Sequence, residues 1–257
     1  MGINSGLSFI QLVAIGFTLA GGGLLQGSIG FGFGLFVMPL LLLFTDLSLP
    51  NAMAIMAAAV LFQSLMSIYH LRHHGDWKPL IPLMVIAALS LQLGVWILSY
   101  FEGVSKDIIR QAVGWTLMAI LILFWVWKVK PKERVHPIWG IFALILSGLV
   151  SGAVGMGGPF VVLWVMAHQW SNKKTRVTLM ALTASIVPLQ IGLLALQFGT
   201  QVLHYSVLGF LSIPLVFVGT AFGLWLGNRI PMVRLRQISL GLLFLVAIAS
   251  IFQPWRH

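Results

Sequence analysis

The chain has 257 residues, 59% hydrophobic and only 8% charged, with a formal charge of +10 from 15 Lys+Arg against 5 Asp+Glu. A soluble domain needs about a quarter of its residues charged to cover its surface, so composition excludes a soluble globule and leaves one membrane domain, 1–257. The absence of cysteine excludes disulfides, thiolate metal sites and a cysteine nucleophile, and a basic excess confined to short loops reads as topology rather than nucleic-acid binding.

Apolar stretches predict ten segments in chain order. The first, 7–27, follows residues without Lys or Arg, so it lacks the basic region of a cleaved signal peptide and reads as retained. Segments 30–45, 51–70, 79–99 and 106–127 complete a first repeat over 6–127. Segments 137–154, 157–170, 176–198, 205–227 and 234–252 form a second over 137–254. Rings such as Trp77, Tyr100, Trp125, Trp139 and Trp170 sit at segment ends, where the membrane interface favours them.

The loops carry charge unevenly. Arg72 and Lys78 lie in 71–78; Lys128, Lys130, Lys132 and Arg134 in 128–136; Lys173, Lys174 and Arg176 in 171–176; Arg229, Arg234 and Arg236 in 228–236. Loops 46–50 and 199–204 have no Lys or Arg. With the N-terminus outside, and with the first two segments of each half forming a hairpin that returns to its own side, every strongly basic loop falls on the cytoplasmic face. Five segments per half is an odd number, so the two repeats are expected to be inverted.

The halves match at an offset of 125: Gly27-Ser28-Ile29-Gly30-Phe31-Gly32 aligns with Gly152-Ala153-Val154-Gly155-Met156-Gly157. Glycine costs a continuous helix about 1 kcal/mol per residue relative to alanine, and Pro159 removes a backbone donor. Breaks are therefore expected, with new half-helices starting near Phe31 and Pro159. The freed N–H groups and positive dipole ends there suit an anion. Close helix contact through Gly23-xxx-Gly27 and Gly148-xxx-Gly152 is the competing reading.

The stretches GGGLLQGSIGFGFG (21–34) and LSGLVSGAVGMGGP (146–159), each opening a half, resemble the sulfite exporter TauE/SafE family of membrane permeases. Phe33 and Gly34 stand where the second motif has Gly158 and Pro159. The resemblance covers nearly the whole chain. It implies a permease of the cytoplasmic (inner) membrane for sulfite, sulfoacetate or another organosulfonate. The interior-negative potential favours outward movement of such an anion by about 2.3 kcal/mol per charge per 100 mV.

The expected fold is thus an all-α polytopic membrane protein of two inverted repeats, each a glycine-rich hairpin of broken helices followed by three transmembrane helices. The expected substrate contacts are Gly27, Ser28, Gly30, Gly32, Gly152, Gly155, Gly157, Gly158 and Pro159 at the breaks, with Gln63, Thr183 and Gln190 from the spans. Gln63 and Gln190, which sit in equivalent spans past the glycine hairpins, are read as amide donors to the substrate. Asp and Glu fall only in loops or at segment ends, which fits an anion path better than a proton relay. His70, His73 and His74 read as an interfacial basic loop. No nucleotide-binding or metalloprotease motif is present, so neither an enzyme, a cofactor nor a metal is expected. A permease for another small anion or a neutral solute, and a non-transporting assembly subunit, are the alternatives. The expected partners are the solute and the lipid bilayer, and a homodimer is left open.

Overall fold

A computed structural model describes residues 7–252 apart from 78, 79, 102, 128, 130 and 134. Helices account for the architecture. The first half holds α1 (Phe9–Ile29), α2 (Phe33–Phe44), α3 (Leu49–Leu71), α4 (Leu80–Tyr100) and α5 (Lys106–Val126). The second holds α6 (Pro137–Val154), α7 (Gly158–Met166), α8 (Asn172–Phe198), α9 (Gln201–Leu211), α10 (Ile213–Arg229) and α11 (Met232–Phe252). The chain is therefore an all-α polytopic protein, with bulky apolar side chains such as Phe17 (76% exposed) and Leu196 (86%) turned outward. In water such a surface would aggregate; in lipid it is the required exterior.

Among the described residues seven helices are long and apolar enough to cross a membrane, and α9 with α10 would make an eighth. The expected ninth span, 205–227, is thus broken: α9 and α10 meet at 48°. Pro214, in the first turn of α10, cannot donate the hydrogen bond that would continue α9. The hairpins are also less even than expected. α2 and α7, with 12 and 9 residues, rise only about 18 and 14 Å and fall short of the roughly 30 Å hydrocarbon core. Their first arms, α1 and α6, have 21 and 18 residues and pass as full spans.

The offset of 125 governs the backbone itself. α1 ends at Ile29 and α6 at Val154; α2 begins at Phe33 and α7 at Gly158. The C-caps Gly30 and Gly155 hold the same left-handed conformation, at φ 87° and 75°, which glycine adopts without penalty. The principal contacts also exchange between halves. α1 packs along α10 as α6 packs along α4, while α3 meets α8 and α5 meets α11.

Glycines make the first of those pairs intimate. A Cβ on Gly23 would lie 2.6 Å from Val216 O and one on Gly27 2.5 Å from Thr220 O, while Gly219 and Gly223 abut the backbone of Ala20 and Leu24. On the other side Gly148 faces Ala87 O at 2.6 Å, and Gly152 and Gly94 meet directly. Lipid supplies no hydrophobic drive between helices, so close backbone contact carries the association.

Loop contacts sort the two faces. Gln11 donates to Asp46 at 3.1 Å and Lys106 to Asp46 O at 2.9 Å. At the opposite ends, Lys174 pairs with Asp76 at 4.0 Å, Lys132 N donates to Ala167 O at 2.8 Å, and Arg236 lies over the Phe124 ring.

Candidate functional site

The two helix breaks meet. The Cβ that Gly34 lacks would stand 3.0 Å from Gly155 O, and one on Gly155 would stand 3.0 Å from Met56 Cε. Around this meeting point lies a central cavity of about 130 Å³. That is room for on the order of ten water-sized groups, the scale of a small solute.

Both short helices point their N-termini into it. α2 has no side-chain cap, and its first intrahelical bond is Phe36 N to Gly32 O. The N–H groups of Phe33, Gly34 and Leu35 precede that bond, and all three residues line the cavity. α7 likewise starts without a side-chain cap. Gly158 presents its N–H, whereas Pro159 has none. Two helix N-termini facing one cavity give it a positive potential without any formal charge. Among the described residues lining it, none is ionisable.

Gln190, on α8, is 3% exposed and lines the cavity, and its Nε2 donates to Ser151 O at 3.0 Å. Thr183 lines it too, with its hydroxyl bonded back to Leu179 O at 2.9 Å. Gly158 is the open point of the wall, since a Cβ there would meet nothing within 4 Å. Of the residues expected from sequence, the cavity gathers Gly30, Gly32, Gly155, Gly157, Gly158, Pro159, Thr183 and Gln190.

Four others lie elsewhere. Gly152 is in the α4–α6 contact and Gly27 in the α1–α10 contact, where their missing side chains let backbones meet. The Ser28 hydroxyl is buried and donates to Leu25 O at 2.9 Å within its own helix. Gln63 donates to Thr220 Oγ1 at 2.7 Å and lines a second cavity of about 330 Å³. The two glutamines therefore line different cavities.

The second cavity opens between α1, α3 and α10, beside His70 and Arg176. Gln26, Gly30 and Met180 line both cavities. Gln26 Nε2 and Ser64 Oγ each donate to Met180 Sδ at 3.7 Å, and this contact stands between the two spaces. Gln26 is 8% exposed and its Oε1 is buried with no partner. Sequence reasoning passed over Gln26 and Met180 as site residues. The signal for Gln26 was its offset: it matches Ser151, which also lines the central cavity. His70, His73 and His74 bring no metal-ligating group together among the described residues.

Spanning helices, paired breaks and a cavity where the breaks meet define a polytopic membrane transporter. The family profile of the sulfite exporter TauE/SafE matches residues 13–250. The chain belongs to that family. It is also 26% identical over 230 residues to a probable membrane transporter protein of Methanocaldococcus jannaschii, covering 80% of this chain and 79% of the relative. No solved structure matches the chain.

Proposed function

We propose that the protein carries a small sulfur-containing anion, such as sulfite, sulfoacetate or another organosulfonate, outward across the cytoplasmic membrane by alternating access. The observation that carries this reading is the convergence of two uncapped helix N-termini on one cavity whose described lining residues include no ionisable group. Such a cavity offers N–H donors to an oxyanion and offers a cation no carboxylate. Gly30, Gly32, Gly155, Gly157, Gly158, Pro159, Thr183 and Gln190 form its wall. The shared offset of the breaks and the exchange of contacts between halves support inverted repeats. The basic loops then face the cytoplasm and the N-terminus lies outside.

The test is flux by the purified protein in liposomes, with sulfite, sulfoacetate, taurine, thiosulfate, sulfate and acetate compared. Saturable flux of a sulfur oxyanion or sulfonate in preference to acetate is the expected result. Equal uptake of zwitterionic taurine would favour a neutral-solute permease. Flux of none of them by well-folded protein would sink the transport reading and favour an assembly subunit.

A further inference from the structure

The second cavity holds a charge that the central one lacks. Arg176 lines it and is half-buried, and among the described residues it makes no hydrogen bond, ion pair or ring contact. Its Nε lies 3.9 Å from where a Cβ on Gly30 would stand, beside the end of α1. Four other described arginines, Arg72, Arg110, Arg229 and Arg236, are engaged. Arg110 Nε donates to Leu42 O at 2.7 Å and its Nη2 to Thr45 O at 3.4 Å, capping α2. Arg229 sits 4.4 Å over the Trp225 ring, and Arg72 5.0 Å over the Tyr69 ring.

Arg176 is not explained as a helix cap, because it makes no bond to the carbonyls at the end of α1. Its own position, early in α8, places a cation near the positive end of the helix dipole. Topology would be served by the exposed Lys173 and the Asp76-paired Lys174 without a third charge turned into a cavity. A guanidinium with free donors, in a pocket with low-dielectric walls, attracts and orients oxyanions.

We propose that Arg176 forms a vestibule anion site, with His70 beside it, which captures the substrate before it passes Met180 into the central cavity. The expected ligand is a singly or doubly charged oxyanion carrying a sulfonate- or sulfite-like head, since the guanidinium fork can donate to two oxygens of such a head at once. The proposal rests on the transport reading for the order of the two sites. The charge at Arg176 is testable without it.

The chain contains no cysteine, so Ser67→Cys, on the wall of this cavity, gives a single labelling point. Anionic (ethylsulfonate) and cationic (ethyltrimethylammonium) methanethiosulfonates are compared in full-length protein. The anionic reagent is expected to be favoured, and Arg176→Gln is expected to lower the anionic-to-cationic rate ratio by about tenfold, within the range of electrostatic focusing. Arg176→Lys should retain most of the preference, and Arg229→Gln should leave it unchanged. In liposomes, Arg176→Gln should also raise the sulfoacetate KM from the vestibule side by about tenfold, the equivalent of about 1.4 kcal/mol, with maximal rate within about twofold. A rate ratio indifferent to Arg176→Gln in protein that unfolds at the normal temperature would overturn the vestibule site and leave the transport reading standing. Should Arg176→Gln misfold, loss of the anionic preference in Arg176→Lys would overturn it as well. A ratio that shifts as expected, in protein that moves no anion, would instead overturn the transport reading alone.

Discussion

Two glycines six residues apart in the sequence, Gly152 in α6 and Gly158 at the start of α7, should respond oppositely to the same added methyl group. In Gly152→Ala the new carbon would stand 2.7 Å from Val95 N and 2.8 Å from Gly94 Cα. Ordinary carbon contacts sit at about 3.5–4.0 Å, so α4 and α6 must part by about 1 Å. The obstacles are backbone atoms, so no side-chain rotation relieves them. Alanine returns about 1 kcal/mol of helix propensity, and overpacking costs about 1–3 kcal/mol. Because every obstacle is backbone, the overpacking falls at the upper end of that range, and the net loss should be about 2 kcal/mol, a fall in Tm of about 4–8 °C for a protein of this size. In Gly158→Ala the methyl meets nothing within 4 Å, so Tm should hold or rise slightly, but the group projects into a cavity of only about 130 Å³. Substrate flux should therefore fall, with KM raised. Thermal unfolding in detergent, followed by tryptophan fluorescence, and flux in liposomes read the two effects separately. A stable, fully active Gly152→Ala together with Gly158→Ala at wild-type KM would refute the division between contact glycine and cavity glycine.

Gln190→Leu removes a polar group from the central cavity; hydrogen bonds to charged groups are worth about 1.5–3 kcal/mol, so KM for a transported anion should rise about 10- to 100-fold in the flux assay. Met180→Ala removes the thioether to which Gln26 and Ser64 donate, so a Ser151→Cys in the central cavity should be labelled severalfold faster from the vestibule side. For Gln63 and Thr220, a double-mutant cycle of Gln63→Ala and Thr220→Val read by thermal unfolding should return a coupling of about 0.6 kcal/mol, the average for membrane side-chain hydrogen bonds.

The breaks were legible because glycine and proline act locally. Ends at Ile29 and Val154, and starts at Phe33 and Gly158, fall within two residues of the expected positions. The faces were less legible. Whether Gly27 or Gly30 touches a helix or a cavity depends on what lies opposite, and that is set by α10 and α8 rather than by the glycine motif. Gln63 and Gln190 lie in matching spans yet line different cavities, for a reason visible in the numbers. At an offset of 125 Gln63 corresponds to Pro188, not Gln190. Two residues of helix turn a side chain by about 200°, enough to send one amide to the vestibule and the other to the central cavity. The contact at Met180 had no local signal, since a methionine in an apolar span looks like any core residue.

Similarity of scaffold and difference of content together suggest how the halves would divide the work. The vestibule lies between α1, α3 and α10. Exchange of the halves would open the corresponding space between α6, α8 and α4, on the face of Asp46 and Lys106. In that exchange Ser151 takes the place of Gln26 and Ile55 that of Met180. Where Gln26 reaches a thioether, Ser151 O receives the amide of Gln190. A contact from an amide to sulfur is weaker than a hydrogen bond to a carbonyl, so the Gln26–Met180 side separates at lower cost than the Gln190–Ser151 side. Under the proposed transport, the amide of Gln190 would both meet the anion in the central cavity and fasten the far side. An anion that drew the amide of Gln190 away from Ser151 would weaken the far closure as it bound, which is the differential contact an alternating mechanism requires of its ligand.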